Sequence, residues 1–141
     1  MNDRVPTLEE FQHTCREEFA FLIQSYGFHE AMTAQASGRF AVRFEKGVLG
    51  LEILGEGYGT VASCNLTRAG KGPLDLVYLV PPIDRPRRSA KRVRMGQLDH
   101  VRELAQMARA HTQDVLAGDG SRFESAWSEW NRAHKSKGEA G

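Results

Sequence analysis

Apolar residues recur at steps of three and four along the first part of the chain: Leu8, Phe11, Cys15, Phe19, Leu22 and Tyr26. One apolar stripe on a 3.6-residue period predicts an amphipathic helix. Thr7 with Glu10 three residues on forms a capping box, which places the helix start. Gly27 suits the left-handed residue that follows a helix, and Phe28 stands where it can pack back.

The period then changes to two. In "RFAVRFE" (39–45), Phe40, Val42 and Phe44 alternate with Arg39, Arg43 and Glu45, as in a half-buried strand. "EKG" (45–47) reads as a turn, and "VLGLEIL" (48–54) puts Leu49, Leu51 and Ile53 on one face with Glu52 on the other. "GEG" (55–57) reads as the next reversal, with positive φ expected at Gly55 or Gly57. "YGTVASCNL" (58–66) has strand composition. "TRAGKGP" (67–73) reads as a turn and "LDLVYLV" (74–80) as the most hydrophobic strand, closed by "PPIDRP" (81–86). "FHEAMTA" (28–34) is a candidate edge strand.

Helical spacing returns from about Met95 to Leu116, through Leu98, Val101, Leu104, Ala105, Ala108, His111, Thr112 and Val115, with Gly118 closing it. Ser121 with Glu124 suggests a second capping box, and Phe123, Trp127 and Trp130 mark a short final helix. The predicted fold class is α+β: an N-terminal helix, a four- or five-stranded antiparallel β-meander, and two C-terminal helices packed on one sheet face. Residues 1–134 read as a single domain and 135–141, "KSKGEAG", as a flexible polar tail.

Composition leaves this picture in place. The chain has 141 residues, 40% hydrophobic and 26% charged, the profile of one globular domain. The start, "MNDRVPTLEEF", has no apolar core of a leader, and no apolar run reaches a membrane span, so a cytoplasmic, membrane-free protein is expected. Cys15 and Cys64 sit within apolar patterns and read as reduced, buried residues.

Charge adds more. The net is +1, yet residues 1–30 carry six acids against Arg4 and Arg16, whereas 84–94 carry six bases against Asp84. Those bases, Arg85, Arg87, Arg88, Lys91, Arg92 and Arg94, form the candidate partner-binding stretch "RPRRSAKRVR". Arginine forks match both carboxylates and phosphates, so an acidic protein surface and a nucleic acid both remain open as partners. Aromatics interleaved with the bases, which stack on single-stranded nucleic acid, are absent from the stretch.

Catalytic chemistry finds little support. "LGEGYGTV" (54–61) resembles the glycine-rich loop of protein kinases, but the third glycine comes one residue early. Neither a V-A-I-K lysine nor H-R-D nor D-F-G accompanies it, and the Rossmann and Walker patterns also fail. The five histidines are scattered and lack zinc spacing, although His100 with Glu103 and His111 with Asp114 can share helix faces. Cys64 lacks the glycine flanks of a nucleophile elbow. No catalytic residue, cofactor or metal is expected.

The stretches "EFAFLIQSYGF" (18–28), "FAVRFEKG" (40–47) and "GQLDHVRELAQMARAHTQDVLAGDGSRF" (96–123) together resemble a loose group of small bacterial α+β proteins, some of them immunity proteins of polymorphic toxin systems. The resemblance implies a protein that works by docking on a partner and blocking it, without turnover. The leading expectation is thus a non-enzymatic protein-binding protein of immunity type. The alternative is a nucleic-acid- or phosphate-binding protein acting through 85–94.

Overall fold

The computed structural model describes residues 6–31, 40–56, 61–81, 83 and 96–140, with backbone alone at 56 and 134–140. Helix α1 spans Leu8–Glu18 and starts at the expected capping box: Thr7 Oγ1 accepts from Glu10 N at 3.1 Å, and Glu10 Oε1 accepts from Thr7 N at 2.9 Å. The apolar stripe continues to Tyr26, but the helix breaks at Phe19 (φ −100°, ψ 14°), and α2 runs over Ala20–Tyr26. Phe19, at the break, is fully buried. Gly27 is left-handed (φ 77°), the Leu22 carbonyl accepts from the N–H groups of Gly27 and Phe28, and Phe28 is buried.

Five antiparallel strands follow as a meander in the order β1 (His29–Ala31), β2 (Phe40–Lys46), β3 (Leu49–Glu56), β4 (Val61–Arg68) and β5 (Lys71–Asp75). Two-residue turns join two of the hairpins. Gly47 leads the β2–β3 turn with φ 57°, while Ala69 (φ 51°) and Gly70 (φ 82°) make the β4–β5 turn, both residues positive as a type I′ turn requires. The two tips are tied by a hydrogen bond from Ala69 N to Val48 O of 3.0 Å.

Three expectations change here. Gly55 is not the reversal: β3 runs extended to Glu56 with Gly55 opposite Ala62, without positive φ, and Gly57 lies outside the described residues. The turn expected over 67–73 shrinks to Ala69 and Gly70. Residues 74–80 are not one strand: β5 stops at Asp75, and Leu76–Leu79 form a 3₁₀ turn. Asp75 causes the stop, because its Oδ1 accepts from Val77 N at 3.0 Å and so competes with the sheet ladder. Leu76 and Leu79, three residues apart, both enter the core.

Helix α3 (Gln97–His111) breaks at Thr112, whose buried hydroxyl donates back to Ala108 O at 2.6 Å. The short α4 (Gln113–Leu116) and the final α5 (Ser121–Ala140) follow. The second capping box is absent. Asp119 Oδ1 accepts from Ser121 N at 3.0 Å instead, and Glu124 reaches across to β4 and β5.

The helices pack on one sheet face, α1 against β2, α3 against β4 and α5 against β5. That face supplies Val42, Phe44, Leu51, Ile53, Cys64, Leu66 and Leu74 to a core shared with Phe11, Phe19, Leu22, Val101, Leu104 and Phe123. Burying each such side chain contributes roughly 1.5–3 kcal/mol. Trp127 and Trp130 pack at the edge of this core as a stacked pair with centroids 5.1 Å apart. Among the described residues no helix is long and apolar enough to cross a membrane.

Candidate functional site

Strand alternation that sends Val42, Phe44, Leu51 and Ile53 inward sends their neighbours to the opposite face. Register then decides which of them meet. Arg43, Glu52, Asn65 and Asp75 lie in one row across β2 to β5. Glu45, Gly50 and Thr67 form the adjacent row. Apart from the buried Gly50, these residues are half-buried, so this face is polar and open where the other is packed.

Arg43 is the organised element of the face. Its Nε donates to Glu45 Oε2 at 2.7 Å and its Nη2 to Thr67 Oγ1 at 3.0 Å, which lays the guanidinium across β3. Gly50 makes that possible. A Cβ at Gly50 would collide with the guanidinium and stand 2.7 Å from Thr67 Oγ1. A glycine inside a strand is unfavourable for the strand itself and marks a close approach.

Beside Arg43 a cleft of about 370 Å³ opens between the two turn tips, lined by Arg43, Glu45, Thr67, Lys71 and the glycines 47, 50, 70 and 72. Lys71 Nζ reaches Glu124 Oε1 at 2.5 Å and Arg68 Nη1 reaches Glu124 Oε2 at 3.2 Å. The Lys71 ammonium, and then Arg68, hold the Glu124 carboxyl below its ordinary value. At the centre of the face, Glu52 and Asn65 stand directly opposite each other on β3 and β4. Neither side chain has a hydrogen bond or ion pair among the described residues.

The other candidates disperse. Burial pushes the Cys15 and Cys64 thiols far up, so both stay protonated, the reverse of an activated nucleophile. His100 is buried, and its Nε2 finds no partner among the described residues. Asp114, expected near His111, is held by Arg122, and His13 pairs instead with Glu17 at 3.1 Å on α1. Among the described residues no group of three or more His, Cys, Asp or Glu side chains could hold a metal ion. The expected partner-binding residues Arg85, Arg87, Arg88, Lys91, Arg92 and Arg94 lie outside the described residues.

Sequence reasoning placed Glu52 off the core face but missed Arg43, Thr67 and Asn65 as neighbours. The available signal was Gly50, a glycine with no turn to serve. Comparison with protein-family models, with curated proteins and with solved structures found no match to this chain.

Proposed function

We propose that this chain is a non-enzymatic binding protein of the cytoplasm that docks a protein partner on the open sheet face and acts by blocking it, as an immunity protein does. The observation that carries this reading is the pair Glu52 and Asn65, half-buried at the centre of the face and without hydrogen-bond partners among the described residues. Partly desolvated polar groups gain most from a partner that completes their hydrogen bonds. The face carries the carboxylates Glu45, Glu52 and Asp75 against Arg43, which suits a basic patch on the partner. The two buried free thiols support a reducing compartment.

The test is co-purification from the native cell with the wild type and with Glu52→Lys in parallel. The expected result is one stoichiometric protein with the wild type, lost with the variant, whose activity the purified wild type inhibits. Absence of a stoichiometric partner, or equal recovery with both, overturns the reading. The six bases of 84–94 favour a second reading, phosphate-backbone binding to nucleic acid, with affinity falling steeply as salt rises.

A further inference from the structure

The Arg43 cleft holds more hydrogen-bond donors than the protein itself employs. A guanidinium offers five N–H donors. Glu45 takes the one on Nε and Thr67 takes one on Nη2, which leaves the second Nη2 hydrogen and both on Nη1 without an acceptor among the described residues. The Thr67 hydroxyl accepts from Arg43 and keeps its own hydrogen. Lys71 also borders the cleft, but its ammonium is engaged by Glu124 of α5 and is not among the cleft's donors. Of the residues that line the cleft, one is a carboxylate, Glu45, which is already paired with Arg43; Glu52 stands across from Arg43 on β3 but outside that lining.

The cleft is also built to be reached. Nothing lies within 4 Å of where a Cβ would stand at Gly47 or Gly70, so both turn tips leave the rim bare. Gly50 removes the side chain that would displace the guanidinium. Arg43, with 25% of its side chain exposed, is fixed on two sides, so little rotamer freedom remains to be lost on binding. The volume of about 370 Å³ lies at the small end of ligand sites.

We propose that this cleft is a binding site for a small oxyanion, a phosphate or carboxylate group, held by the free edge of Arg43 with Thr67 beside it. This goes beyond the docking reading and needs no partner protein for its test. The experiment is a ¹H–¹⁵N NMR titration of the intact chain with inorganic phosphate, and separately with acetate, at constant ionic strength against chloride. Saturable shifts are expected at Gly47, Gly50, Gly70, Gly72 and the Arg43 Nε–H. Saturation by phosphate alone assigns a phosphate site, by acetate alone a carboxylate site, and by both a general oxyanion site. Arg43→Lys keeps the charge but loses the fork, and should weaken binding roughly tenfold. Gly50→Ala should weaken it as well, by displacing the guanidinium. Each variant's thermal melt reports whether the fold persists, and Thr67→Val repeats the test should either fail to fold. Shifts that chloride reproduces, shifts that never saturate, or undiminished affinity in the folded variants overturn the proposal.

Discussion

Gly50 and Gly55 both lie inside β3, and each marks a place where another residue occupies the space of a side chain. At Gly55 a Cβ would stand 2.8 Å from Gln97 Nε2 and 2.9 Å from Phe11 Cε2. Gln97 is almost fully buried there, and its Nε2 donates to Val61 O at 2.7 Å. Gly55→Ala should therefore destabilise the protein by about 1–3 kcal/mol through overpacking, although alanine suits an extended strand better than glycine. Urea denaturation measures it, and unchanged stability would show that Gln97 and Phe11 can yield. The glycine-rich stretch that resembles a phosphate loop is thus, at Gly55, a packing contact between β3, α1 and α3. Its neighbours were legible because alternation is local. The close approach was not, because Phe11 and Gln97 are distant in sequence and only the fold brings them to one point.

Elements end where a side chain offers the backbone a better partner than the next turn or ladder rung. Thr112 ends α3 in this way and Asp75 ends β5, and neither break follows from apolar spacing, which continues across both. The resulting loose ends are gathered by Arg122 on α5. Its Nε donates to Asp114 Oδ2 at 2.8 Å, Nη2 to Asp114 Oδ1 at 2.6 Å and to His111 O, and Nη1 to Leu79 O at 3.0 Å. One guanidinium so joins the 3₁₀ turn, the end of α3, α4 and α5. Hydrogen bonds from Arg122 hold the Asp114 carboxyl below its ordinary value. A lowered folded-state value means the pair's contribution is fully present above the unfolded carboxylate pKa and is lost as pH falls through the folded one. Arg122→Ala should lower stability at neutral pH by on the order of 1 kcal/mol, discounted because the pair is partly exposed. It should also flatten the acid limb of the stability–pH curve, since the gain from ionised Asp114 disappears. Circular dichroism melts between pH 7 and the acid transition test both. An acid limb unchanged by the substitution would exclude Asp114 as a contributor.

At the scale of the molecule, the packed core lies on one face of the sheet, so the docking proposed for the opposite face can be tested without disturbing the fold. The α+β order, the meander and the helix-covered face all follow from periodicity, which reports burial at each position. The open face was harder to read, because a polar residue facing water and one awaiting a partner produce the same alternation. Glu52 and Asn65 differ from Arg43 and Asp75, which share their row, in having no side-chain hydrogen bond or ion pair among the described residues. Replacing Glu52 by lysine should thus leave unfolding free energy within about 0.5 kcal/mol of the wild type. A variant that keeps its stability but loses its protein partner locates the function on this face. The nucleic-acid reading predicts the opposite pattern. Serine at Arg87, Arg88, Lys91 and Arg92 should then abolish retention on DNA at low salt and reduce the salt dependence by about one unit per phosphate contact removed. Glu52→Lys, which adds positive charge, should strengthen that retention if it changes it at all. One salt-gradient series on DNA with the wild type and both variants tests the nucleic-acid reading, because only the serine variant should weaken that retention. Failure of the wild type to bind DNA at low salt excludes the nucleic-acid reading and leaves the open sheet face as the surface to explain.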